Sequence, residues 1–453
     1  MCIIFTKIFT RRISTLTAKQ IIDNSFDQLV ETLRKTISFD TVKSAACEGA
    51  PFGKNNALCL QYVLDTARQM GFDTYNCDGY AGHVDFKGTG DGVLGVLGHL
   101  DVVPANADDG WKHPPFDGVT DNGELYGRGT MDDKGPMISC LYALKALKDS
   151  GYKPAKTIRL IFGCDEESGM QCMEYYFKKM PFPDISFSPD GDFPVINIEK
   201  GIYQFTLDMG QLPREVTEIS AGTRTNVVPS SCIARIVNDF DTKDVPFTTD
   251  GCKVISAVGK SAHGSTPQEG KNATWEVFRR LKELFPEHKA FAFIADKMCD
   301  YTGTKWGIAL SDKDSGALTC NIGTARTENG RLILGIDIRF PASYTCDDML
   351  ALLKKTTPYD IIPNHVAEPL YVSADSFLVT TLLDIYNTAT GQNARPLAIG
   401  GGTYSRCLPN CVAFGPLFPD TEQTIHMPNE RVSLDTLRTM TYLYLEALER
   451  LSK

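Results

Sequence analysis

No run of 18 or more apolar residues occurs in the 453-residue sequence, so no transmembrane helix is expected and no membrane partner is implied. There is no basic block and no stripe of aromatics interleaved with Lys or Arg. With 46 basic against 56 acidic residues the net charge is −10, which argues against a nucleic-acid partner. Internal repeats and low-complexity tracts are absent, which sets aside solenoids and fibrous classes. No C-x-x-C pair is present: the 14 cysteines are scattered, several within apolar segments (Cys59, Cys140, Cys164), and Cys407 and Cys411 are spaced wrongly for a zinc ribbon. Without a secretory signal, dispersed thiols read as reduced and the protein as cytoplasmic. The stretch Met1 to Ile22 holds Lys7, Arg11, Arg12 and Lys19 and one apolar run, Cys2-Ile3-Ile4-Phe5, too short for a signal core. It reads as a plain extension, with organellar targeting as the alternative.

Hydrophobic content of 42% and charged content of 23% are those of a globular protein, and the length predicts two domains. A helical pattern runs from Ser25 to Gly71, with Leu60, Val63, Leu64 and Ala67 on one face. Strand patterns follow at Phe72 to Tyr75, Gly82 to Phe86 and Val93 to His99, then a polar loop, Pro104 to Asn122. A helix with Pro136 at its first position leads to the buried strand Thr157 to Phe162 and a short one at Ile185 to Phe187. From about Lys200 alternating strands take over, with a hairpin across Asn329-Gly330 and helices at Trp275 to Phe285 and Asp347 to Lys354. Helix returns near Ser373, and the chain closes on an amphipathic helix capped by Ser433. The expected fold is α/β: a catalytic domain on a mixed doubly wound sheet (1–199 and 373–453) with an inserted α+β lid domain (200–372).

The strand ending Gly98-His99-Leu100-Asp101 delivers His99 and Asp101 to one sheet edge, where open α/β folds bind ligands. An imidazole with a carboxylate two residues on suits a metal ligand and its orienter, although such pairs also serve purely structural ends. Further acids and an imidazole fall at other element ends: Asp132, Glu166, Glu167, Asp190 and His426. Hard oxygen and imidazole donors without thiolates suit Zn²⁺, Mn²⁺ or Co²⁺, and five such ligands sharing one carboxylate would hold two ions. Singly, Asp132-Asp133 could be an acidic helix start, Glu166-Glu167 a solvated one, Asp190 a turn residue and His426 a solvated loop imidazole. The coincidence of all five favours one site.

Four motifs appear in order: Gly98-His99-Leu100-Asp101-Val102-Val103, Gly127-Arg128-Gly129-Thr130-Met131-Asp132-Asp133-Lys134-Gly135, Asp165-Glu166-Glu167-Ser168-Gly169 and Ser188-Pro189-Asp190. With them the chain from about Ile21 resembles the co-catalytic dizinc metallopeptidases, a family that includes aminoacylases, glutamate carboxypeptidases, desuccinylases and dipeptidases. Phe193 to Gly201, Ile399 to Arg406 and Phe414 to Pro419 look most like its bacterial dipeptidase V branch. The resemblance implies two divalent ions, zinc first and manganese or cobalt as alternatives. Asp132 would bridge them, His99 and Asp190 would complete one site, and Glu167 and His426 the other. It also implies a cis Asp132–Asp133 peptide and an Asp101 that orients His99.

Glu166, beside ligand Glu167, is the expected general base. His263, in Ser261-Ala262-His263-Gly264-Ser265, resembles the family's lid histidine that steadies the oxyanion. Arg339 offers a fork to a substrate carboxylate, Asn226 resembles the matching polar contact, and Gly402 marks close backbone approach to a small substrate. The Gly400-Gly401-Gly402-Thr403 turn lacks the Lys of a phosphate loop. The function implied is a dipeptidase acting on dipeptides with a free amino end. An N-acetyl or N-succinyl amino acid deacylase is the alternative, and a non-catalytic metal- or peptide-binding homologue a remoter one. Small peptides are the expected partners. The large inserted segment stands where dimerising members need a second subunit, so a monomer is expected.

Overall fold

The computed structural model describes residues 16–237, 240 and 252–453, so the amino-terminal extension lies outside the described residues up to position 15. The chain forms two compact units. One comprises residues 1–195, 374–396 and 407–453; the other comprises 196–373 and 397–406.

The first unit is built on a mixed sheet. Asp73–Cys77, Ala81–Phe86 and Thr157–Gly163 pair antiparallel in succession. Thr157–Gly163, Val93–His99, Ile185–Ser188 and Cys411–Ala413 then run parallel. Val93–His99 lies in the middle, and burial on both faces explains its run of small and apolar residues. Gly82, Phe162 and Gly98 sit in cross-strand register and so share one face. A Cβ at Gly82 would meet Leu60 and Leu64 of the helix Lys54–Gln69; one at Gly98 would meet Met137 of the helix Lys134–Asp149. Both helices therefore cover that face. The opposite face carries His83, whose Nδ1 is 2.8 Å from the Tyr176 hydroxyl at the end of Gln171–Tyr176. Helices on both faces make the sheet doubly wound.

The helical pattern expected from Ser25 to Gly71 is two helices, Ala18–Ile37 and Lys54–Gln69. Gly49 and Gly53 adopt positive φ and Pro51 lies between them, a combination no helix continues through. Lys134–Asp149 starts two residues before Pro136, whose missing N–H is harmless in a first turn. The closing helix Leu434–Leu451 is capped by the Ser433 hydroxyl on the Thr436 N–H. Before it, Arg431–Ser433 pairs with Glu124–Tyr126, which pairs in turn with Val119–Asp121.

The second unit is α+β. Its sheet runs Lys253–Val258, Ser231–Ile236, Val216–Ala221, Thr319–Glu328, Arg331–Phe340, Gly201–Gln211, Asp360–Ala367, antiparallel throughout. Alternate residues of Gly201–Gln211 (Phe205, Leu207, Met209) enter a core with Val277, Phe278 and Leu281 of Thr274–Leu284 and Met349 and Leu353 of Cys346–Thr356. Residues 397–406, expected with the closing segment, belong instead to this unit, because Leu397–Ile399 pairs parallel with Ile196–Glu199. No described helix is long and apolar enough to cross a membrane.

Candidate active site

In the first unit His99, Asp101, Glu166, Glu167 and Asp190, at or beyond the carboxyl ends of parallel strands, meet Asp132, which precedes the helix Lys134–Asp149, and His426, in the loop before Arg431–Ser433. His99 is the fully buried last residue of its strand. Its N–H donates to Asp133 Oδ2 (3.1 Å), and its Nδ1 lies 2.9 Å from the main-chain carbonyl of Asp101. A carbonyl only accepts, so Nδ1 carries the proton and Nε2 is the nitrogen turned to the acids. Nε2 is 2.9 Å from Asp132 Oδ1 and 3.8 Å from Asp190 Oδ2. On the other side, His426 Nε2 is 2.8 Å from Asp132 Oδ2 and 3.1 Å from Glu167 Oε1. Each oxygen of Asp132 thus faces its own imidazole. The Asp132–Asp133 peptide is cis.

The Asp101 side chain, expected to orient His99, also has a second use. Its carboxylate is 3.6 Å from His99 Nδ1, and the close contact is made by its backbone carbonyl. The carboxylate accepts the Glu166 N–H on Oδ1 and the Glu167 N–H on Oδ2, both at 3.1 Å. Buried Asp165 braces the same turn, accepting from Lys43 Nζ (2.8 Å), Ser168 Oγ (2.7 Å) and the Gln171 N–H (3.2 Å). The motif did not disclose this use of its first acid.

Charge at this edge is crowded. Burial and the Asp132 carboxylate push Asp190 up to about 7. Burial, with Asp190, Glu167 and Asp132 nearby, holds Glu166 well above the usual carboxylate range despite His99. Burial disfavours a charged His426, but hydrogen bonds to Asp132 and Glu167 outweigh it and lift the imidazole to about 10. The cluster therefore holds protons that a cation would replace. Ligand atoms of His99, Asp132 and Glu167 all lie within 4.8 Å of one another. Separations of 2.8–3.8 Å suit neighbours in a shared coordination shell with bonds of about 2.0–2.2 Å. The donors are two imidazoles and three carboxylates without thiolate, a set that fits zinc or manganese.

Asn226, His263, Arg339 and Gly402 all lie in the second unit. His263 sits in an exposed loop, and its Nδ1 accepts the Ser265 N–H (3.2 Å) with Ser265 Oγ at 2.6 Å. Burial of the ring and the Arg339 charge lower its pKa, so near pH 7 it is neutral with the proton on Nε2. Gly264 donates its N–H to the Asn226 carbonyl (2.7 Å), and a Cβ there would come within 2.1 Å of Asp337 Oδ2, so only glycine fits. Arg339 has less of its fork to offer than expected. Its Nε bonds both oxygens of buried Asp337 (3.0 and 3.2 Å) and its Nη1 the Gly400 carbonyl (3.0 Å), which leaves Nη2. Gly402 lies against Arg406, whose Nε donates to buried Glu199 (2.9 Å) and Nη2 to the Gly401 carbonyl (3.1 Å). Asp337, Glu199 and Arg406 went unread because their partners are remote in sequence or belong to no metal motif.

Residues 95–450 match the profile of peptidase family M20/M25/M40. A Bacillus subtilis (strain 168) protein named "Putative dipeptidase YtjP" is 36% identical over 457 residues, spanning 94% of this chain and 98% of its own. Among solved structures, the fold is similar to that of the di-peptidase Dug1p from Saccharomyces cerevisiae (TM-score 0.60, 14% identity, 97% of this chain and 98% of that one). It is also similar to the Bacillus subtilis YXEP protein, titled a dinuclear metal binding peptidase from the M20 family (TM-score 0.51, 10% identity, 95% and 100%). A profile match over most of the length, joined to 36% identity across nearly all of it, makes the chain a member of peptidase family M20/M25/M40.

Proposed function

We propose that the protein is a metal-dependent dipeptidase of this family, hydrolysing dipeptides with a free amino end. One observation carries the reading: Asp132 offers one oxygen beside His99 (2.9 Å) and the other beside His426 (2.8 Å), with Asp190 and Glu167 flanking. His99, Asp132 and Asp190 would hold one divalent ion; His426, Asp132 and Glu167 the second. Two ions so held supply Lewis acidity that brings a water's pKa toward about 7 and polarises the scissile carbonyl. Zinc is the ion we favour, with manganese or cobalt as alternatives.

Glu166 takes the proton of the attacking water and returns it to the leaving amine. The two N–H bonds to Asp101 fix the turn from which it acts. His263 donates Nε2–H to the developing oxyanion, the tautomer that the Ser265 N–H enforces. Arg339 Nη2 and Asn226 anchor the substrate's carboxylate, and the Gly400–Gly402 turn limits its size. In this scheme the first unit is the catalytic domain and the second its lid. The relatives' names favour dipeptides over N-acyl amino acids. We further assign the enzyme to the cytoplasm, as a monomer, on the strength of its dispersed cysteines and its large inserted unit.

Metal analysis of the purified protein, with a dipeptide panel beside N-acetyl and N-succinyl amino acids, tests this. Turnover of dipeptides alone, dependent on about two ions per chain, is expected. Turnover of the N-acyl substrates alone would reassign the enzyme as a deacylase.

A further inference from the structure

His426 and Asp132 are 294 positions apart in sequence, yet one buried side chain touches the segments that carry both. Glu430 is fully buried. Its Oε1 accepts the N–H groups of Gly129 (3.0 Å), Met131 (3.0 Å) and Asp132 (3.3 Å). Its Oε2 accepts from Arg128 Nη1 (2.6 Å), and its main-chain carbonyl from the Gly127 N–H (3.0 Å). A carboxylate needs only one partner to neutralise a guanidinium; the three converging amides serve another end, the shape of the loop that ends at Asp132.

Glu430 lies four residues beyond His426, at the end of a turn in which His426 and Asn429 both hold positive φ. The Asn429 side chain is tied too, accepting the Lys112 N–H at 2.6 Å. His426 itself is half exposed, and its ring nitrogen Nε2 faces only the acids Asp132 and Glu167. With half of its side chain exposed, the imidazole depends for its place on how its turn is anchored.

We propose that Glu430 is a positioning residue of the metal centre, a single carboxylate that sets the Asp132 loop and the His426 turn at one fixed separation. It touches neither metal nor substrate and acts through the main chain. The inference rests on the reading that Asp132 and His426 hold metal.

The test is metal affinity, read apart from turnover. Metal-free wild type, Glu430→Gln and Glu430→Asp are titrated with Zn²⁺ against a chromophoric chelator, with circular dichroism confirming the fold. Wild type is expected to bind two equivalents. Glu430→Gln should bind at least one of them about 10- to 100-fold more weakly. Glu430→Asp keeps the charge opposite Arg128 but shortens the reach to the amides, and should show a loss of the same kind. Wild-type affinity in folded Glu430→Asp overturns the proposal, since charge pairing with Arg128 would then suffice, and wild-type affinity in folded Glu430→Gln overturns it as well, since the carboxylate itself would then not be needed. Failure of both variants to fold overturns it too, because the carboxylate would then serve the fold as a whole. Wild type that binds no zinc refutes the metal-site reading, a separate failure.

Discussion

Asp101 holds His99 with its backbone and the Glu166–Glu167 turn with its side chain: the carbonyl is 2.9 Å from Nδ1, while the two carboxylate oxygens each accept one N–H at 3.1 Å. Truncation should therefore spare the imidazole and loosen the turn. Asp101→Ala leaves two half-buried amides without partners, at about 1–3 kcal/mol each. It should lower kcat by more than it lowers affinity for the first zinc ion. Denaturant unfolding, zinc titration and single-substrate kinetics check this, and an unchanged kcat would refute it.

Glu166 lies among the acids Asp190, Glu167 and Asp132, with His99 nearby. Glu166→Gln keeps its volume and removes the base, so kcat should fall by about 10²- to 10⁴-fold. Metal content, measured by atomic emission, should stay as in wild type. Full activity in this variant would move the base elsewhere.

The metal-free protein should be most vulnerable at high pH. His426, lifted to about 10, keeps a proton that the unfolded chain gives up near 6.5, so folding loses stability as pH rises between those values. Asp190, pushed up to about 7, has the same sign between about 4 and 7. Metal ions replace these protons, so loading should release protons, and the gap in Tm between loaded and chelator-treated protein should widen from pH 6 to pH 9. Thermal scans at several pH values decide the matter; a gap that narrows over that range contradicts the ligand assignment.

At Gly402 a Cβ would stand 2.5 Å from the Arg406 guanidinium. That group would swing aside cheaply were it free, but Glu199 holds it at 2.9 Å, and Glu199 also takes the Thr403 N–H and hydroxyl. Gly402→Ala should cost about 1–3 kcal/mol by overpacking and raise KM for dipeptides. Urea unfolding measures the first effect, and stability equal to wild type would show that Arg406 yields freely.

Much of this was legible in the chain. A run such as Val93 to His99 can bury both faces only in the middle of a parallel sheet, and Asn329-Gly330 between alternating segments can hardly be anything but a hairpin. His99 could be placed by the strand it ends, whereas Asp132, Glu167, Asp190 and His426 were joined to it through the family resemblance, and the structure holds all five together. What stayed hidden depends on pairings across long separations. Glu430 looks like one more polar loop residue until Arg128 is found beside it, and Glu199 until Arg406 is. The short Leu397–Ile399 carries too few residues to announce its partner, so its unit could not be read from its own pattern. The bonds from the Asp101 side chain to the Glu166–Glu167 turn stayed hidden for a related reason: spacing gives the face a group points to, not every donor it meets.

The donor cluster draws on residues from 99 to 426, and among the described residues the strand Arg431–Ser433 and the helix Leu434–Leu451 follow its last member. A nascent chain is thus without its second imidazole until residue 426 has been made. Ribosome-bound fragments that stop short of residue 426 would lack that imidazole and, on the proposed ligand set, could not hold both ions.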